Sequence, residues 1–355
     1  MKIRAIQLLP AAVPLTRPYA LATYATDTVG MVRVRIDADG GTYGLGAASP
    51  QPEVNGETIE QCLAALRGAE ALLRARSFQR PADLDEVLRR AWPDAPAARA
   101  AIDMALFDLW GKANARPVTD LLGRVHTALP TSVTIGVCDV ASTLEQAREH
   151  LGRGFRVLKV KIGADLDLDV ERLARLRELV GPALPLLVDA NIGYSAAQLP
   201  AFLQRTRAFA LRLVEQPLPR EAAHAQCTLP REDKARLVAD ESLLDAADAR
   251  ALAQEPRAFG VFNVKLMKCG GITPALDIAR IAAGAGIGLM WGCMDESVIG
   301  IAAALHAAFA CTATRHLDLD GSLDLSRDFG AGGFLLEDGL LRTLDRPGLG
   351  VEPID

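Results

Sequence analysis

The stretch FRVLKVKIG, Phe155–Gly163, decides how the rest of the chain is read. Its residues alternate with the period of a β-strand, so Lys159 and Lys161 share one face while Leu158, Val160 and Ile162 take the other. Two like charges side by side on so short a strand need a place where charged groups gather. Similar apolar runs ending in a polar residue flank it: TSVTIGV (131–137), LPLLVDAN (184–191), LRLVEQP (211–217), ARLVADES (235–242), VFNVKLM (261–267), GLMWGCM (288–294) and TRHLDLD (314–320). The terminal polar residues are Thr134, Lys161, Asp189, Glu215, Asp240, Lys265, Cys293 and Asp318, spaced 25–28 residues apart. Helix-like segments such as DLDVERLARLRELVG (167–181) lie between, with apolar residues three and four apart.

Strand, helix, strand at this repeat is the βαβ unit, and eight such strands close into a barrel whose chemistry sits at the strands' C-terminal ends. The charged residues therefore converge on one mouth. The eighth strand runs into GSLDLSRDFGAGGFLLEDG (321–339), which is Gly-rich and a poor helix former. The expectation is an α/β chain with a (β/α)₇β modified TIM barrel over residues 125–322 and a C-terminal return over 323–355. Residues 1–124 read as an α+β capping domain that the tail completes. Its strands are IRAIQLL (3–9), MVRVRID (31–37) and TYGLGAA (42–48), and its helices fall near 57–75, 82–92 and 97–114. The last helix places Ile102, Ala105, Leu106, Leu109 and Trp110 on one face.

The 355 residues are half hydrophobic, enough for one large domain or two ordinary ones with a substantial core. A net charge of −5 with no basic stripe argues against nucleic acid as a partner. No apolar run reaches membrane-spanning length. The N-terminal MKIRAIQLLPAAVPL is broken by Pro10 and Pro14 and reads as a first strand rather than a signal peptide. Six widely spaced Cys without a CxxC pattern point to free thiols in a reducing compartment, hence a cytoplasmic protein.

Asp189, Glu215 and Asp240 end three consecutive strands, and three converging carboxylates call for a cation among them. All-oxygen ligation suits Mg²⁺ better than zinc. Lys161 ends the second strand and Lys265 the sixth, so in a ring of eight they face each other across the mouth. That arrangement suits proton removal from one face of a carbon and delivery to the other. A free Lys, with a pKa of about 10.4, is a poor base. Two ammonium groups about 7 Å apart repel by roughly 2–2.5 kcal/mol at an effective dielectric near 20. KVK thus reads as one base beside a charged neighbour that improves it. No His falls at a strand end, and His316 reads as interior filling. Cys293 reads as a small residue offering backbone contact rather than a nucleophile. Lys268 has the wrong parity to share the face of Lys265 and is assigned to the loop leading to Gly270–Gly271.

KxK on the second strand, acids ending the third to fifth, and Lys on the sixth resemble the muconate lactonizing enzyme subgroup of the enolase superfamily. The resemblance covers essentially the whole chain. It implies an isomerase with Asp189, Glu215 and Asp240 as Mg²⁺ ligands and Lys161 and Lys265 as acid/base residues acting through an enediolate. HLDLDG and NVKLMKCGG resemble the dipeptide epimerases within it. That branch implies a small-molecule dipeptide substrate inverted at the α-carbon of its C-terminal residue. It implies that Asp318–Leu319–Asp320 holds the substrate ammonium, and that Thr134, Lys159 and the backbone at Cys293 touch the dipeptide. Members acting on Ala-Glu carry an Arg in the flexible capping loop where this chain has Tyr24. With that Arg absent, and with Asp295 and Glu53 at the rim, the expected substrates are non-acidic and cationic dipeptides. The alternatives are an Ala-Glu epimerase, o-succinylbenzoate synthase, N-succinylamino acid racemase or muconate cycloisomerase. A homo-oligomer is an open expectation.

Overall fold

A computed structural model describes residues 1–20, 25–74 and 76–354. Eight parallel strands form the barrel in sequence order: Val133–Ile135, Leu158–Lys161, Leu186–Asp189, Leu213–Glu215, Leu237–Ala239, Val261–Val264, Gly288–Gly292 and Thr314–Asp318. The ring closes where Thr131 bridges Leu317 and the Ser132 N–H donates to the Leu317 carbonyl at 3.0 Å. Register pairs Lys161 with Asp189 and Asp189 with Glu215, so these three strand ends stand level at the mouth. The same parity sends Leu187, Leu213, Val238 and Val261 into a separate apolar cluster with Met290. That cluster plugs the barrel beneath the charged layer. Lys159 pairs in register with Leu187 and is therefore rooted one layer below Lys161. No helix follows the eighth strand among the described residues, as the Gly-rich tail leads one to expect.

The N-terminal part is a three-stranded antiparallel sheet, Ile3–Ala20, Ala25–Ala38 and Tyr43–Ala48, with helices Ile59–Leu73, Asp85–Ala91 and Pro96–Ala113. The first two strands run well past the stretches that alternation alone marks, because they pair with each other as a long ribbon. Helix Pro96–Ala113 departs from the one-faced reading and is buried almost all round. One side takes the third strand, where Gly44 and Gly46 let the backbones touch. A Cβ at Gly46 would lie 1.9 Å from the Ala101 carbonyl oxygen. On another side its Asp103 accepts from the backbone N–H and hydroxyl of Thr273, at the start of helix Ile272–Ala285. Asp108 accepts from the N–H groups of Leu45 (2.9 Å) and Leu349 (2.8 Å) and from the Lys112 ammonium (2.7 Å). This helix thereby stitches sheet, barrel and tail together.

The tail touches both parts. Thr16 N–H donates to the Asp324 carbonyl (2.7 Å) and Ser326 N–H to the Pro14 carbonyl (2.9 Å), which ties the ribbon beside the mouth. Strands Phe334–Glu337 and Leu340–Thr343 form a hairpin that pairs with Leu129–Pro130, the approach to the first barrel strand. No helix among the described residues is long and apolar enough to cross a membrane.

Candidate active site

One cavity at the mouth collects Thr134, Lys159, Lys161, Asp240, Lys265, Cys293, Asp295, Asp318 and Asp320, together with Glu53 from the short helix Pro52–Asn55. Asp189 and Glu215 do not line it; they lie buried behind Asp240. Leu319 is also buried, but its side chain is not on the wall and its N–H donates to Thr131 Oγ1, as the alternation of the strand requires. Tyr24 lies outside the described residues.

Asp189, Glu215 and Asp240 each bring a carboxylate oxygen within 4.8 Å of the other two. Each acid has one oxygen fixed from behind. The Asn191 N–H donates to Asp189 Oδ1 at 3.0 Å, Asn263 Nδ2 to Glu215 Oε1 at 2.6 Å, and the Lys268 ammonium to Asp240 Oδ1. The other oxygens turn to the lysines of the mouth. Lys161 reaches Asp189 Oδ2 at 2.7 Å and Lys265 reaches Asp240 Oδ2 at 2.8 Å. Lys159 rises through the barrel interior to Asp189 (3.0 Å), Glu215 (2.7 Å) and Asp318 (2.7 Å). Burial works against the Lys159 charge, but Asp189, Asp318 and Glu215 outweigh it and hold the ammonium well above its ordinary value. Its charge is spent on three acids, so it is a central counter-ion rather than a bare neighbour repelling Lys161.

The acids divide accordingly. Against the cost of burial, Lys159 and Lys161 hold Asp189 well below the usual carboxylate range, and Lys265 and Lys268 do the same for Asp240. Burial and the charge of Asp189 push Glu215 upward, and more positive charge beside it would keep it ionised. Two further oxygens, Asn191 Oδ1 and Glu241 Oε2, belong to residues on the cavity wall and have no hydrogen-bond partner. A trio of hard oxygen donors, a carboxylate short of positive charge and unpartnered oxygens nearby together fit Mg²⁺.

At the other end of the cavity, Asp320 Oδ2 accepts the Thr134 N–H at 2.8 Å. Burial and neighbouring Asp318 push its carboxyl up to about 7. Asp318 stands apart from Asp320 in role, because Lys159 and the Ser132 hydroxyl take its two oxygens. Asp320 is thus the freer of the pair to receive a substrate cation. Cys293 donates to the Asp318 carbonyl (3.2 Å) and accepts the Gly321 N–H (3.3 Å), and burial pushes its thiol well above the ordinary value. Burial thus disfavours the thiolate form that a nucleophile needs. Asp295 sits deeper than a rim residue: the Tyr19 hydroxyl donates to its Oδ2 at 2.7 Å, and burial raises its carboxyl.

Lys268 escapes strand-parity reasoning. Helix Leu266–Cys269 begins directly after Lys265, and three residues along a helical turn return a side chain to the same side. The signal was available in the spacing K-x-x-K, provided a helix rather than a strand follows Lys265.

Family models match the chain almost end to end: "Mandelate racemase / muconate lactonizing enzyme, N-terminal domain" over residues 3–123 and "Enolase C-terminal domain-like" over 142–355. The chain is 51% identical to an L-Lys-D/L-Arg epimerase of Methylococcus capsulatus over 352 residues, covering 99% of both. It is 48% identical to an L-Lys-D/L-Arg epimerase of Desulforapulum autotrophicum over the full length of both. Among solved structures, a dipeptide epimerase from Methylococcus capsulatus complexed with Mg and the dipeptide L-Arg-D-Lys superposes with a TM-score of 0.97 at 50% identity, covering 99% of each chain.

Proposed function

The chain belongs to the enolase superfamily and is an isomerase, a dipeptide epimerase that uses Mg²⁺; from that premise we propose that it inverts the α-carbon of the C-terminal residue of L,L/L,D dipeptides by a two-base mechanism and prefers cationic ones. The observation that carries the reading is one cavity lined by Lys161, Lys265, Asp240 and a separate carboxylate, Asp320, with Asp189 and Glu215 grouped behind its wall against Asp240. Mg²⁺, when held by Asp189, Glu215 and Asp240, supplies positive charge that binds the substrate carboxylate and acidifies the neighbouring C–H. Lys161 and Lys265 come from the second strand and the end of the sixth, on opposite sides of the eight-strand ring. One takes the α-proton from its own face, leaving the enediolate, and the other returns a proton to the opposite face. Asp320 receives the substrate ammonium, with the Thr134 N–H fixing the carboxylate that does so. Lys159 and Lys268 are paired with the acids and keep them in place.

Side-chain preference rests on charge. The wall carries seven acids against four bases, and three of those bases, Lys159, Lys161 and Lys265, are committed to buried acids. Glu53, Asp324 and the deeper Asp295 remain on the wall outside those pairs, with Arg17 as the one further cation there among the described residues. The guanidinium of Arg17 is itself paired with Glu149. This supports a preference for Lys- or Arg-containing dipeptides. The six free thiols and the net charge of −5 support a cytoplasmic enzyme without a nucleic-acid partner. The test is kcat/KM for matched dipeptides ending in Lys, Leu and Glu, repeated in Asp295→Asn. Lys should exceed Glu by about ten-fold or more, equal to about 1.4 kcal/mol, and the margin should narrow in the variant. A wild-type preference for Glu would overturn the charge reading.

A further inference from the structure

Arg17 stands on the stretch of the first capping strand that crosses beside the mouth. It lines the active-site cavity, and it also lines an adjoining hollow formed with Asp27, Gly136, Cys138 and Gln146. A free guanidinium at that junction would repel a cationic side chain and offer a fork to an acidic one. It is not free. Its Nη2 donates to both Oε1 and Oε2 of Glu149 at 2.8 Å each. Glu149 lies on helix Val140–Gly152 and does not line the cavity.

We propose that Glu149 is a positioning residue that neutralises Arg17 and so keeps the mouth selective for cationic dipeptides, an inference that rests on the substrate preference proposed above. The ribbon carrying Arg17 does not depend on this pair for its place. Thr16 and Pro14 are tied to the tail through backbone hydrogen bonds, and Tyr19 is tied to Asp295. Removing the Glu149 charge therefore changes what Arg17 presents without releasing the strand. Asp324 is on the same wall and already exerts a pull on Arg17. An Arg17 freed from Glu149 would turn to Asp324 or to the substrate, and either move makes the wall less attractive to a cation. Both members of the pair are roughly two-fifths exposed, with side-chain exposures of 38% and 42%. The effect is consequently one of charge at a wet rim, modest and sensitive to salt.

The experiment is a charge cycle. The ratio of kcat/KM for a Lys-terminated over a matched Glu-terminated dipeptide is measured in wild type, Glu149→Gln, Arg17→Gln and the double variant. The summed charge of positions 17 and 149 is neutral, +1, −1 and neutral in that order, with Arg153, 3.8 Å from Glu149, unchanged throughout. The ratio should fall about five-fold in Glu149→Gln, rise by a similar factor in Arg17→Gln, and return to within about two-fold of wild type when both are changed. The Glu149→Gln shift should shrink at about 0.5 M salt, where screening is strong. An unchanged ratio in Glu149→Gln, a double variant that stays displaced, or a shift indifferent to salt would each overturn the inference. A wild-type ratio below one would instead overturn the substrate preference, and the ordering of the four proteins would still report on Glu149.

Discussion

Replacing Lys268 with Met removes one ammonium from the heart of the site while nearly preserving its volume. The Lys268 side chain is 1% exposed. Its ammonium donates to the Asp240 carbonyl at 2.6 Å, to the Asn263 carbonyl at 3.2 Å and to Asp240 Oδ1. The variant leaves all three oxygens without that donor and Asp240 with Lys265 as its remaining ammonium partner. Breaking a buried pair from one side costs about 3–5 kcal/mol, and methionine recovers little of it because it has no donor. That is a large share of the ~5–15 kcal/mol that stabilises a folded domain. The assay is urea unfolding at neutral pH with chelator present, read as the midpoint shift at constant slope. The deficit should depend on pH in one direction. Asp240 is held below its ordinary range, so the contribution is fully present above an unfolded carboxylate value of about 3.9 and disappears as pH falls through the lower folded value. Wild type and variant should thus converge only below about pH 4. A shift under about 1 kcal/mol at neutral pH would refute the view that Lys268 is structurally committed to Asp240.

If Lys161 and Lys265 serve opposite faces, each Ala variant should lose net epimerisation. Each should still exchange the α-proton of one epimer with D₂O, a different epimer in the two cases; loss of the same epimer's exchange in both would disprove the two-face arrangement. Asp320 must be ionised to hold an ammonium, and its carboxyl sits at about 7, so kcat/KM should climb through about pH 7 in wild type and lose that limb in Asp320→Asn. Gly46→Ala places a Cβ 1.9 Å from the Ala101 carbonyl and should destabilise by about 1–3 kcal/mol or more. Gly68→Ala, whose nearest outside neighbour is a Trp92 ring atom at 3.9 Å, should stabilise helix Ile59–Leu73 by up to about 1 kcal/mol; equal melting temperatures for the two variants would contradict the close-approach account.

Strand parity and a repeat of 25–28 residues determined the barrel and the gathering of Lys161, Asp189, Glu215, Asp240 and Lys265 at its mouth, and the Gly-rich run after the eighth strand determined the missing last helix. These are local properties: alternation says which side chains face inward, and repeat length says that a helix must intervene. What local pattern could not decide is which charges meet. Lys159 and Lys161 look equivalent in KVK, yet one residue pair of depth separates a central counter-ion touching three acids from a lysine at the mouth. Asp318 and Asp320 look like a matched pair, yet the closing of the ring brings Ser132 and Lys159 onto the first and the Thr134 N–H onto the second. Lys268 joins the site only through the helical turn that brings it to Asp240, and Glu149 only through the crossing ribbon that brings Arg17 to it. Coulomb energy depends on distance and on the dielectric around each pair, and both are set by how remote segments pack, so the chemistry of individual charges belongs to the tertiary structure.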